Sequence, residues 1–231
     1  MGSTWVHCGI RAVLLGALAF TGAAFAAPSC KPPAPTALLE RFTSADCEHC
    51  WKAASAQDPK DPARQRVLVL DWIAPAGDAA PMAAAAMSEA ATRAGALSPN
   101  ETLRRRSALA PRGAPQLRVA DGPAWNGYIG LQISVQKTGP LPPDAVAYVA
   151  LVERVPAGIE GSPVARQLVR VLAGPLTLEE LASQPSVLHL RAVRLPEGSR
   201  PERLASVGWV ETAAGTVISA AQSPAGDCAT L

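Results

Sequence analysis

Histidine is almost absent from this chain: His7, His49 and His189 are the whole complement among 231 residues. A serine or cysteine hydrolase needs a histidine base beside its nucleophile, and these three form no recognisable arrangement of that kind. A phosphate-cradling glycine loop is missing as well. Charge of one sign is not in excess, because the formal net charge is +2 and the one basic run is Arg104-Arg105-Arg106. Nucleic-acid binding normally needs a larger basic surface, so the triplet reads as a solvated helix face. Beyond the N-terminus, no run is long and apolar enough to cross a membrane, which takes about 20 residues. A second CxxC and a paired-histidine motif are both lacking, and structural zinc normally takes four ligands. A metal role using Cys47, His49 and Cys50 is therefore the least favoured reading, and no cofactor is expected.

Residues 1–27 have the layout of a secretory signal peptide. Arg11 is the positive flank, an apolar core follows, and Ala24-Phe25-Ala26 supplies small residues at a cleavage position. The expectation is an exported protein, periplasmic or secreted, with no stable membrane insertion after cleavage. Export would remove Cys8 and leave Cys30, Cys47, Cys50 and Cys228. An even number in an oxidising compartment favours pairing. Three connectivities exist; adjacency favours Cys47 with Cys50, which leaves Cys30 with Cys228 as a structural disulfide near the two chain ends. Loop-entropy arguments give about 4–5 kcal/mol for so long a loop. The contrary reading leaves Cys30 and Cys228 unpaired in the tails.

Cys47-Glu48-His49-Cys50 follows a short apolar run and a Thr43-Ser44 turn. Such a motif, after a strand and opening a helix to about residue 56, can close a small reducible ring. The helix N-terminus favours a thiolate there. On this reading Cys47 is the nucleophile, nearer the helix start and more exposed, and Cys50 resolves the mixed disulfide. A protonated His49 would stabilise the Cys47 thiolate, against the opposing charges of Asp46 and Glu48. Trp51 either covers the disulfide or packs at a domain junction. Asp71 is a proton acceptor for Cys50 or, more commonly for such a residue, a strand-end hydrogen-bonder. His189 reads as structural.

Strand and helix signals alternate through the first half: strands near 38–42, 66–72 and 116–120, helices over 81–94 and from Ser98-Pro99 to about 109. That order argues an α/β layer structure. The second half reads as strands. Ile129, Leu131, Ile133 and Val135 alternate with smaller or polar residues, further runs lie at 145–155, 164–172, 187–195, 204–212 and 216–221, and Ala213-Ala214-Gly215 marks a hairpin. The residues from Thr177 to Ser183 read as one helical turn.

The CxxC after a strand, with Gly113-Ala114-Pro115 about 65 residues later and just ahead of another strand, resembles the thioredoxin superfamily. A narrower resemblance is to a secreted thioredoxin-like family of unknown function, whose members carry Phe-Thr-Ser before CxxC. Phe42-Thr43-Ser44, Pro115-Gln116 with Asp121-Gly122, Ala147 to Glu153 and Ala205 to Glu211 match it. Trp51-Lys52 departs from it, standing where members usually have prolines; so does Leu70-Asp71-Trp72, in place of a histidine-valine-aspartate segment. The resemblance implies a thioredoxin-like domain over 28–125 and a β-rich C-terminal domain, antiparallel sheet or small sandwich, over 126–231. It makes Pro115 a cis proline against the active-site disulfide, and Ala114 the residue whose backbone pairs with substrate. The narrower resemblance implies no known activity; the Cys47-Glu48-His49-Cys50 motif itself suggests thiol–disulfide exchange with thiols or disulfides of exported proteins. The alternative is a non-catalytic binding module with a structural disulfide and an unknown protein partner.

Overall fold

The computed structural model describes residues 2, 34–54, 58, 60, 65–95, 97–109 and 113–224. The signal peptide over 1–27, together with Cys8, Cys30 and Cys228, lies outside them. Ten strands form two sheets: β1 (Ala37–Ser44), β2 (Val67–Ala74), β3 (Thr102–Ala108), β4 (Gln116–Asp121), β5 (Tyr128–Gln136), β6 (Val146–Val155), β7 (Arg166–Thr177), β8 (Ser186–Arg194), β9 (Leu204–Glu211) and β10 (Val217–Gln222). The larger sheet runs β10-β9-β6-β7-β2-β1-β3, and the smaller runs β4-β5-β8. β1 pairs with β2 in parallel, β2 meets β7 in parallel at Asp71 and Leu168, and the other pairings are antiparallel.

The expected α/β thioredoxin-like layer is not what forms. Two α-helices are present among the described residues, α1 (Glu48–Trp51) and α2 (Ser88–Ala94), of four and seven residues. The helix expected from the cysteine motif to residue 56 ends at Trp51. The Ala-rich stretch 81–94 breaks at Ala86 and Met87, both extended, because the Met87 N–H donates to Ile73 O. Helical propensity is worth only tenths of a kcal/mol per residue, and tertiary bonds override it. The second expected helix is strand β3. It pairs antiparallel with β1 and covers an edge that would otherwise stay open. Arg104-Arg105-Arg106 therefore belongs to a sheet: Arg104 approaches Asp58, and Arg105 lies over Phe42. The larger sheet joins strands from both sides of residue 125.

Period-two patterning sorts the side chains. One face of the large sheet presents Leu38, Phe42, Leu70, Trp72, Val207 and Trp209 to Ala90 and Ala94 of α2. β2 and β9 are three strand positions apart, about 14 Å in a flat sheet. Trp72 and Trp209 nevertheless meet edge-on at 6.3 Å between ring centroids, which reports a strongly curled sheet. The opposite face of β6 and β9 receives the small sheet through Leu131, Ile133 and Val135. Gly208 sets that contact: a Cβ there would stand 2.7 Å from Ile133 Cδ1 and 2.9 Å from Val119 Cγ2. The strands expected from 126 onward form close to their expected ends, including the β9–β10 hairpin and a 3-10 turn at Glu179–Ala182.

Candidate functional site

β1 delivers the cysteine motif to the C-terminal end of the parallel pair. Beyond Ser44 the chain turns: Ala45 N–H bonds Ala74 O, and Cys47 N–H bonds Ser44 O at 2.9 Å. Cys47 and Cys50 are joined as a disulfide with Cα atoms 5.2 Å apart, within the ordinary range. His49 straddles the bridge, its Nε2 lying 3.3 Å from Cys47 Sγ and 3.7 Å from Cys50 Sγ. The exposure is the reverse of the sequence expectation. Cys47 is fully buried, whereas Cys50 is partly open, beside the Asn100 carbonyl. The reason is local: Cys47 continues the turn beneath Ala45 and Ala74, and the single turn of α1 swings Cys50 outward. Asp46 is set by the same turn. The Ser44 hydroxyl and then the Asn100 N–H hold its carboxyl below the usual carboxylate range.

Trp51 closes the other side of the site. It is buried against Ala45, Ile73 and Leu168, and its indole N–H donates to Glu160 O at 2.9 Å. Glu160 belongs to the β6–β7 connection, so a segment from beyond residue 125 packs on the cysteine helix. Trp51 thus packs as a junction residue.

Beneath α1 lies a buried ionic network. Asp71 accepts from Arg41 Nε and Nη2, both at 2.7 Å, from Arg166 Nη1 at 3.2 Å and from Gln167 N at 2.8 Å. Burial works against the Arg41 cation, but the Asp71 and Asp58 carboxylates outweigh it and raise its pKa. For Arg166 burial dominates and lowers it. Arg166 also donates to the carbonyls of Trp51 and Ala53, which ties the end of α1 to the network. Asp71 is saturated by these donors and serves as a strand hydrogen-bonder, not as a base for Cys50.

On the concave face of the sheet, Arg93 of α2 is held by Glu40 at 3.0 Å and by both oxygens of Glu211 at 2.9 Å. Its guanidinium lies 5.0–5.6 Å from the ring centroids of Trp72, Tyr148 and Trp209. Sequence reading missed both ionic clusters. The available signal was Glu40-Arg41, adjacent opposite charges in the middle of an otherwise apolar strand.

Pro115 does not join the site. It immediately precedes β4 of the small sheet and lines a cleft with Arg66, Val67 and Leu109, at the end of β1 and β2 away from the cysteines. Eight residues of β1 span roughly 25 Å. The cis peptide found among the described residues is Gly174–Pro175, not Ala114–Pro115. His189 is structural, its Nε2 donating to Thr177 O at 2.9 Å.

Ligand atoms of Cys47, His49 and Cys50 all lie within 4.8 Å of one another. Reduction of the bridge would free two thiols beside the imidazole, three donors in all and one short of the usual structural set.

No protein-family model and no curated protein matches this chain. Among solved structures it is similar to HBP35 of Porphyromonas gingivalis, with a TM-score of 0.53 and 10% identity over 83% of this chain and 76% of that one. The likeness is one of fold alone.

Proposed function

We propose that this is an exported thiol–disulfide oxidoreductase whose working group is the Cys47–Cys50 disulfide. The observation that carries the reading is an oxidised CxxC with one outward sulfur and an imidazole against the inward one. A thiolate of a dithiol substrate attacks Cys50 Sγ, the accessible atom; the Cys47–Cys50 bond breaks, and Cys47 leaves as a thiolate beside His49. The second substrate thiolate then attacks the substrate sulfur of the mixed disulfide and releases Cys50. The substrate is oxidised by two electrons and the protein gains them as a dithiol. A leaving thiol of lower pKa departs faster, which is the service His49 performs. The roles of the two cysteines are thus exchanged relative to the sequence expectation. The chemistry is that of a thioredoxin-type motif, carried here at the edge of a mostly β fold.

The test is a glutathione redox titration of the full chain, with mass spectrometry reporting the Cys47–Cys50 peptide. A potential between about −270 and −120 mV is expected, the range of working oxidoreductases. A value below roughly −300 mV would mark an inert structural bridge and favour the binding-module alternative. His49→Ala should move the potential toward more negative values, because the Cys47 thiolate of the reduced form loses the imidazole that lies 3.3 Å from its sulfur. A shift of roughly 30 mV, a tenfold change in the exchange equilibrium, is the expected size. An unchanged potential in His49→Ala would remove His49 from the mechanism.

A further inference from the structure

A cleft of about 1350 Å³ lies between the two sheets, at the end of the large sheet where β2 begins. That is larger than most pockets for small molecules, which run about 300–1,000 Å³. Every residue from Ala114 to Ala120 lines it, and so does each residue from Ser219 to Gln222. A cleft over one face of a sheet touches alternate residues, because side chains alternate along a strand. Unbroken runs mean that strand edges face it. β4 is an edge of the small sheet and β10 an edge of the large one. Among the described residues, the strand backbone of β4 bonds only to β5, and that of β10 only to β9.

Its charge is one-sided. Among the described residues, Arg66, Arg118, Arg154 and Arg166 line the cleft, and no aspartate or glutamate does. Arg166 is committed to Asp71, and Arg66 Nε donates to Ala34 O. Arg118 and Arg154 have no ion-pair partner among the described residues. Arg41, Arg93, Arg104, Arg170, Arg200 and Arg203, by contrast, each have a carboxylate within 4 Å. Two buried polar atoms on the cleft wall, Ser219 Oγ and Gln167 Oε1, have no hydrogen-bond partner. A hydroxyl and an amide oxygen are matched together by a polypeptide, which brings both carbonyls and N–H groups.

We propose that this cleft binds an extended peptide segment carrying acidic side chains, which adds as a strand to the free edge of β4 or β10 while its carboxylates meet Arg118 and Arg154. Strand addition draws affinity from main-chain hydrogen bonds and selectivity from the alternating side chains. The six residues of β4 offer roughly 20 Å of edge, enough for a hexapeptide.

The probe is a fluorescein-labelled Val-Glu-Val-Asp-Val-Glu peptide, titrated with the full chain and read by fluorescence anisotropy. Saturable binding is expected, weakening as salt rises, and at least tenfold weaker for a Val-Lys alternating peptide. The Arg118→Glu/Arg154→Glu protein should also bind at least tenfold more weakly, with a thermal melt matching the wild type because neither side chain supports the fold. A version of the acidic peptide N-methylated at every second residue should lose binding to the same degree. Absent binding of the acidic peptide, equal binding of the basic one, or unchanged affinity in the double variant each overturns the proposal. Full affinity for the N-methylated peptide overturns strand addition.

Discussion

Arg93→Ala is expected to destabilise the protein by about 3–5 kcal/mol, because it leaves two buried carboxylates without their cation. Glu40 and Glu211 are 1% and 5% exposed, so water cannot replace the guanidinium. Three aromatic rings lose their cation in the same step, a further contribution of about 1 kcal/mol or more. Native proteins hold only about 5–15 kcal/mol in total, so most of the margin would go. The readout is the urea midpoint together with the melting temperature, expected to fall by roughly 10 °C or more for a chain of this size. Removing the charges with the cation, in Arg93→Met/Glu40→Gln/Glu211→Gln, should recover a large part of the loss. A single variant melting within 2 °C of the wild type would show that the cluster is not holding the sheet and α2 together.

The second large effect belongs to Asp71. Asp71→Asn takes the negative charge from between Arg41 and Arg166, both 2–3% exposed, and turns one acceptor into a donor facing an arginine. About 3 kcal/mol of stability should be lost, by the same logic of an unpaired buried charge. The consequence reaches the cysteines, because Arg166 also holds the Trp51 and Ala53 carbonyls. Amide exchange over residues 50–54 should quicken at least tenfold beyond what the global loss explains. The Cys47–Cys50 potential should shift with it. Exchange at 50–54 that merely follows global unfolding would separate the ionic network from the site.

Each of these clusters joins residues that sequence patterning cannot bring together. Glu40 and Arg41 were legible as charges inside an apolar strand, and their adjacency placed them on opposite faces. Their partners were not. Arg93 and Glu211 are separated by 118 residues, and Arg41 and Asp71 by 30. The scarce aromatics were equally opaque: Trp72, Trp209 and Tyr148 surround a cation only because the sheet curls.

Local signals decided what local chemistry can decide. Two intervening residues bring Cys47 and Cys50 within disulfide reach, apolar alternation drew β5, and Ala213-Ala214-Gly215 turned β9 into β10, all through contacts between near neighbours in the chain. Tertiary structure decided the rest. It made a strand of residues 102–108, because pairing with β1 outweighs a modest helical preference. It buried Cys47 and left Cys50 partly open, because the turn after β1 lies against Ala74 while α1 lasts a single turn. It set Pro115 at the far end of the parallel strands, because β4 joins the small sheet instead of continuing the large one. Burial, charge pairing and strand neighbours depend on which distant segments meet, and the periodicity of one segment carries no record of its partner.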